Sequence, residues 1–387
     1  MTINLIQGNC LDKLKELKSK SIDCCITSPP YYALRDYNMD EQIGLEDTYQ
    51  EYIENLVKVF KEVKRLLKDD GTLWLNMGDT YVGTGQKTKD SYLDKKYKNG
   101  RSSKKKPLNN RVEGLKRKDL MGMPWRIAFA LQNDGWYLRQ DIIWYKTNPM
   151  PESVTDRCTK SHEYIFLLSK SVNYYFDNEA IKEKSTFKNS KGEYRANSMK
   201  NIKKHEEHDG FDIRNGLSKM KEQPYKNKRS VWKVNTVPFK DAHFATFPPK
   251  LIEPMILAGC PEKICVDCNT PYVRQVESKR FKRNELPKDD PRYRPNTYEG
   301  SYKDINGKAD AGYTETKDLG LQKQCDCETN ETKAGTVLDP FGGAGTTALV
   351  ADRLNRNAVS IELNEDYIEI TKKRLEKDNS LFLKLSD

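Results

Sequence analysis

The hydrophobic positions along the first part of the chain switch between two periods. Ile3 to Gly8 is a short apolar run that stops at a glycine, and Leu11 to Leu17 has helical spacing, so a strand and a helix open the chain. A second apolar run, Ile22 to Thr27, predicts another strand, ending in Ser28-Pro29-Pro30-Tyr31-Tyr32. Proline donates nothing to a sheet ladder, so the strand must stop there. From Leu45 to Gly71 apolar residues recur every three or four positions, with lysines and a glycine at the end, which predicts a long amphipathic helix. Thr72 to Asp79 returns to a strand pattern, and the alternation is that of a doubly wound α/β sheet.

Periodicity fails between Thr84 and Lys118, where 13 basic residues face 3 acidic ones, a composition that predicts a mobile basic loop. Met123 to Trp136 reads as an amphipathic helix, Tyr137 to Lys146 as a strand, and Ser161 to Ser171 with Asn173 to Asp177 as a strand pair. Lys182 to Arg229 again loses its period and carries 14 basic against 7 acidic residues, which composition alone reads as a solvated insertion. A helix is predicted from Pro249 to Ala258. Residues 260–334 are polar and look inserted. The chain closes as strand (Thr336 to Leu338), glycine turn, helix from near Thr346, strand ending in Glu362, and helix.

A chain of 387 residues with 36% hydrophobic content can bury a core, and its formal net charge of +10 points to a polyanionic partner, nucleic acid first. No run approaches the apolar length of a membrane span and the N-terminus lacks a signal-peptide order, so a cytoplasmic protein without membrane contact is expected. Cys10, Cys24, Cys25 and Cys158 sit among apolar residues and read as core. Cys265-x-x-Cys268 and Cys325-x-Cys327 instead have the spacing of two thiolate turns on one tetrahedral ion, which predicts a structural zinc site with no open position.

Asp339-Pro340-Phe341-Gly342-Gly343-Ala344-Gly345, between a strand and a helix, lets backbone approach a ligand and offers free amides to a negative group. Glu362 follows at a distance suited to ribose hydroxyls. No Gly-Lys-Ser/Thr follows, against a P-loop; the glycine spacing is off for a nicotinamide dinucleotide site; a plain tight turn explains the glycines but not Asp-Pro-Phe together with Glu362.

Three stretches, Val337-Leu-Asp-Pro-Phe-Gly-Gly-Ala-Gly-Thr-Thr347, Thr27-Ser-Pro-Pro-Tyr-Tyr32 and His243-Phe-Ala-Thr-Phe-Pro-Pro-Lys250, resemble motifs of the S-adenosylmethionine-dependent amino DNA methyltransferases. Their order is similar to the permuted beta arrangement of that family. Lys118 to Ser153 and Thr159 to Ser171 also look like its internal segments. The resemblance implies a Rossmann-like methyltransferase fold in which residues 1–172 form the catalytic half, 173–241 the target-recognition region, and 242–259 with 335–387 the cofactor half, with 260–334 a zinc-ribbon-like insertion. It implies that Asp339, Phe341, Gly343, Gly345 and Thr346 line the cofactor pocket, that Glu362 holds the ribose, that Asn9 and Cys10 pack by the adenine, and that Phe244 and Thr246 hold the methionine end. His243 reads as structural. Asn9 stands where many relatives have Asp.

For the catalytic motif, an exocyclic amine is a poor nucleophile because its lone pair is delocalised into the ring. Accepting its two N–H groups on the Ser28 side chain and the Pro29 carbonyl localises that pair, and Pro30 stiffens the turn. Tyr31 offers a face for a base that leaves the duplex stack. The segment also has the form of a proline-rich ligand, a reading that requires an exposed, disordered stretch. No Pro-Cys dipeptide occurs, against a cytosine-C5 enzyme. Within the family, Ser-Pro-Pro-Tyr is associated with N4 of cytosine, and adenine N6 is the alternative. Expected partners are double-stranded DNA and a cognate restriction endonuclease, the chain being a monomer or homodimer of bacterial or phage origin. Two rivals stay open: an RNA or protein amide methyltransferase, and a non-catalytic zinc-dependent nucleic-acid-binding protein.

Overall fold

The computed structural model describes residues 1–34, 39, 41–83, 114–184, 225–237, 247–281, 287–289, 313–378 and 385–386. The expected methionine-end residues Phe244 and Thr246, with His243, lie outside them, as do residues 84–113 of the basic loop and 185–224 of the second basic stretch. The chain divides into two compact units, one of Met1–Ala180, Arg229–Pro271 and Cys325–Asp387, the other of Ile181–Lys228 and Tyr272–Gln324.

The first unit holds β1 (Ile3–Gln7), α1 (Cys10–Glu16), β2 (Ile22–Thr27), α2 (Tyr49–Leu66), β3 (Leu67–Met77), α3 (Met123–Asn133), β4 (Tyr137–Tyr145) and β5 (His162–Ser169). In the second unit, β6 (Glu183–Lys184) pairs antiparallel with β7 (Tyr225–Lys226). The first unit resumes with β8 (Val231–Lys233), α4 (Pro249–Gly259) and β9 (Ile264–Cys265). In the second unit again, β10 (Val273–Phe281) and β11 (Tyr313–Gln322) form an antiparallel ribbon with an irregularity at Gln275/Val276. The first unit ends with β12 (Thr332–Lys333), β13 (Thr336–Asp339), α5 (Thr346–Arg353), β14 (Asn357–Glu362), α6 (Glu365–Asp378) and β15 (Leu385–Ser386).

Nine strands of the first unit form one sheet in the order β15-β1-β14-β13-β2-β3-β5-β4-β8. From β15 to β3 the pairing is parallel; β5 is antiparallel to both neighbours. The expected Rossmann-like α/β class holds. Every residue of β2 is buried, as a central parallel strand covered on both faces requires. Side chains alternate between the faces: Cys25, Leu73, Leu75 and Met77 join the core under α1, α2 and α3. Cys24, Thr72 and Trp74 point the other way, where α4 approaches so closely that a Cβ on Gly259 would lie 2.6 Å from the Trp74 indole nitrogen.

Two expected elements differ. The long helix stops at Leu66, and Leu67 to Asp70 already belong to β3, because Leu67 pairs with Ile22 and Lys68 bonds the buried Asp23 carboxylate at 2.6 Å. Asn173 to Asp177 is not a strand beside β5, whose two edges are taken by β3 and β4. That segment instead stacks Phe176 on Trp74, ring centroids 6.2 Å apart, and ties its Tyr175 and Asp177 amides to the carbonyls of Asp70 and Ala258. Among the described residues no helix is long and apolar enough to cross a membrane.

Candidate functional site

In an open parallel sheet the place for a ligand is the crevice at the carboxyl ends of strands whose connections run in opposite directions. Here that place lies between β13 and β2. From β13 the chain runs outward to β14, with β1 beyond; from β2 it runs the other way to β3. Asp339 ends β13, and Thr27 with Ser28 ends β2. A cavity of about 710 Å³ opens over these ends, and its wall includes Ser28 to Tyr31 from one side and Pro340 to Ala344, Thr346 and Glu362 from the other. The two motifs, more than 300 residues apart in sequence, thus face one space.

On the β13 side the turn is held from both ends. The Glu362 carboxylate accepts from the Gly343 amide at 2.8 Å and the Asn364 amide at 2.9 Å, which fixes it in the cavity wall. Burial raises its pKa from its ordinary value. Gly345 caps α5 in the left-handed region at φ 71°, and a Cβ there would meet Thr371 Cγ2 at 2.2 Å. Beside Gly343, by contrast, a Cβ would meet nothing nearer than a carbonyl 4.0 Å away. No side chain caps α5, so its first amides point to no protein acceptor of that kind. Nearby lie Asn9 and Cys10, because β1 pairs in parallel with β14 and the Gly8 amide donates to the Glu362 carbonyl at 2.9 Å. Asn9 caps α1 through its Oδ1, which accepts from the Leu11 amide at 2.9 Å, while its Nδ2 donates to Glu41 at 3.0 Å. Burial pushes the Cys10 thiol up to about 12, so it is a packing group.

Asp339 is placed differently from the expectation. It does not line the cavity but lies beneath it, 1% exposed. Its carboxylate accepts from Thr27 Oγ1 and Thr347 Oγ1, each at 2.7 Å, and from the Phe341 amide at 3.1 Å, tying β2, α5 and the glycine turn to one buried point. Burial raises its pKa to about 6 against those donors. Gly345 likewise supports the turn without lining the cavity, whereas Phe341, Gly343 and Thr346 do line it.

On the β2 side the Ser-Pro-Pro-Tyr segment is held by side chains from two elements, α2 and β5. Tyr52 of α2 donates its hydroxyl to the Pro30 carbonyl at 2.7 Å. No hydrogen bond is donated to the Pro29 carbonyl among the described residues. Tyr31 donates its hydroxyl to Glu163 Oε2 at 2.9 Å, and Ser28 Oγ donates to Tyr31 Oη at 3.4 Å. Burial, with the Glu163 charge beside it, raises the Tyr31 pKa well above its ordinary value, so the phenol keeps its proton. Gly78, just after β3, lies on the ring edge: a Cβ there would come 2.6 Å from Tyr31 Cε2.

Several residues of this wall carried no role in the sequence. Glu163 pairs with Lys146, and Asn76 Nδ2 donates to Glu163 Oε2 at 3.2 Å and to the Tyr164 carbonyl at 3.1 Å. Asp79 accepts from the Gly122 and Met123 amides at 3.1 Å each and so serves the start of α3. Lys160 donates to the Asp79 carbonyl at 2.6 Å. The available signal was a charge at the head of an apolar strand in His162-Glu163-Tyr164 and a lysine closing another in Trp144-Tyr145-Lys146, but the partner of each is set only by the sheet.

The second predicted cluster also assembles. The Sγ atoms of Cys265, Cys268, Cys325 and Cys327 all lie within 4.8 Å of one another. β9, which carries Cys265, pairs with β12, and the Cys265 amide and carbonyl close a turn onto Thr270 and Asn269 at 3.0 and 3.1 Å. Four thiols at this spacing, none in a disulfide, fit a tetrahedral thiophilic ion, whose ligand sulfurs sit roughly 4 Å apart. None of the four lines the cavity. Cys260 is buried and outside the cluster; of the four cysteines expected in the core, Cys10, Cys24 and Cys25 are buried, but Cys158, between Arg157 and Thr159, is exposed.

The sequence model of a family described as DNA methylase, the N6/N4 methyltransferases, matches residues 22–268 and 311–373. The chain is 39% identical over 372 residues to the Type II methyltransferase M.SmaI of Serratia marcescens, covering 96% of this chain and 90% of that protein. It is 37% identical over 383 residues to M.Cfr9I of Citrobacter freundii, covering 99% and 90%. Among solved structures, the cytosine-N4-specific PvuII DNA methyltransferase superposes with a TM-score of 0.51 at 15% identity, over 98% of this chain and 90% of that one, a likeness of fold.

Proposed function

The chain belongs to the N6/N4 family of DNA methylases, and from that premise we propose that it transfers a methyl group from S-adenosylmethionine to N4 of a cytosine within a particular sequence of double-stranded DNA. The observation that carries this reading is the single cavity walled by Ser28 to Tyr31 on one side and by the glycine turn with Glu362 on the other. The choice of cytosine rests on Ser28 at the head of the motif, through the association of Ser-Pro-Pro-Tyr with N4. Adenine N6 demands the same two acceptors and is the alternative.

A target base reaches this cavity by leaving the helix stack. Tyr31 then supplies an aromatic face, and the Ser28 oxygen and Pro29 carbonyl accept the two amine N–H groups, localising the lone pair and aiming it. The Pro30 carbonyl is already occupied by Tyr52, which leaves Pro29 as the free acceptor of the pair. S-adenosylmethionine, when bound, supplies an electrophilic methyl group. On the chain's side Glu362 keeps unused lone pairs for ribose hydroxyls, Phe341, Asn9 and Cys10 would wall the adenine, and Gly343 leaves backbone open to the ligand. Asp339 holds the turn from below. A restriction endonuclease reading the same duplex sequence is the partner this activity implies.

The test is incubation with isotopically labelled donor and duplex DNA, followed by mass spectrometry of the nucleosides. N4-methylcytosine is expected; N6-methyladenine would overturn the choice of base, and transfer to no DNA would overturn the reading itself. We also propose that the four cysteines hold one structural zinc, since four thiolates leave no coordination position for chemistry. Elemental analysis of the folded protein is expected to find one zinc per chain, and finding none would refute it.

A further inference from the structure

Activation of the target amine depends on the direction of one hydrogen bond, the one between Ser28 and the amine. A serine hydroxyl both donates and accepts, and only the accepting orientation helps an amine whose lone pair must stay free to attack. A Ser28 proton pointed at the amine nitrogen would occupy that pair. Something has to turn the proton away.

The residues behind Ser28 do so. Ser28 Oγ lies 3.4 Å from Tyr31 Oη, and Tyr31 Oη lies 2.9 Å from Glu163 Oε2. A carboxylate only accepts, so the phenol must donate to it, and the phenol oxygen is then left to accept from Ser28. Glu163 pairs through its other oxygen, Oε1, with Lys146, and its Oε2 also accepts from the Asn76 amide at 3.2 Å, so both oxygens face donors. Its side chain is 15% exposed, so water competes little for these bonds. Glu163 and Tyr31 both line the cavity, and Gly78 closes on the ring edge, so the phenol has little freedom to swing out of the chain.

We propose that Glu163 is a positioning residue that sets the direction of the hydrogen-bond chain Ser28 to Tyr31 to Glu163, so that Ser28 presents lone pairs and not its proton to the target amine. This deepens the reading above and rests on it. The carboxylate acts through Tyr31 and Ser28 and need not touch the base.

Glutamine at 163 keeps the size but offers an amide that can donate to the phenol and reverse the chain; aspartate is shorter but still only accepts. Phenylalanine at 31 keeps the ring and cuts the chain. Glu163→Gln and Tyr31→Phe are each expected to lower kcat about tenfold or more, the worth of one hydrogen bond to a charged group. The Kd for S-adenosylmethionine, the KM for DNA and the thermal midpoint should stay near wild type. The double variant should be no slower than the slower single one, and Glu163→Asp should keep more activity than Glu163→Gln. Unchanged kcat in Glu163→Gln, losses that multiply in the double variant, or an aspartate variant slower than the glutamine one would each overturn the inference while the methyltransferase reading stands. A wild-type protein that methylates no DNA would sink both. Methylation of adenine in place of cytosine leaves the inference standing, because both amines require an accepting serine.

Discussion

Replacing Asp339 by asparagine isolates a buried carboxyl that accepts from three donors. The side chain keeps its size, its amide oxygen can still accept from the Phe341 amide, and the Thr27 and Thr347 hydroxyls can rotate to suit it. What it loses is the ability to ionise. In the folded chain the carboxyl has its pKa raised from 3.8 to about 6, burial outweighing the three donors. The folded state therefore holds the proton more tightly than the unfolded chain. The stability this confers is full below the unfolded value and is lost as pH rises through the folded one. A shift of roughly 2 pKa units corresponds to about 3 kcal/mol. The assay is urea unfolding of wild type and Asp339→Asn across that range, comparing unfolding free energies at each pH. Relative to the variant, the wild type should lose roughly 2 kcal/mol of that between pH 4 and pH 7, the remainder falling outside the window. Glu362, whose pKa burial also raises, titrates in both proteins and enters the difference only through its repulsion with Asp339. A difference flat to within roughly 1 kcal/mol would mean that the carboxyl titrates as it does in water, and the account of a buried tie between β2 and β13 would fail.

Gly78→Ala places a methyl where the Tyr31 ring edge lies, at 2.6 Å, so the ring must move; kcat is expected to fall roughly a hundredfold with donor affinity unchanged, and an unaltered rate would show that ring placement does not matter. Glu362→Gln should weaken S-adenosylmethionine binding in calorimetry by about tenfold to a hundredfold through loss of a charged acceptor, while Tyr31→Ala leaves that affinity intact and lowers turnover. Equal donor affinities in those two variants would contradict the assignment of the two cavity walls. Cys268→Ser removes one of four thiols, so zinc content measured after dialysis should fall well below one per chain, and full retention would argue against a four-cysteine site.

The parts of this site legible in the sequence are those that local backbone chemistry dictates. Strand β2 ends at Thr27 because Pro29 and Pro30 cannot continue a ladder, and the glycine turn after β13 is written in residues that only a close backbone approach requires. The residues missed are those whose meaning depends on which strand lies next to which. Asp339 reads as a cavity residue from its motif, yet it lies under the turn because β13 and β2 are neighbours and Thr27 reaches across to it. Asn9 comes to the site only because β1 pairs with β14, whose sequence neighbours are more than 300 residues away. Glu163 is the sharpest case. Its strand is legible by periodicity, but its task follows from three placements no local pattern encodes: β5 antiparallel beside β3, Asn76 of β3 opposite Ile165 of β5, and Tyr31 held above by the turn that follows β2. Period and turn chemistry locate the acceptors of the amine; the sheet order determines what makes them accept.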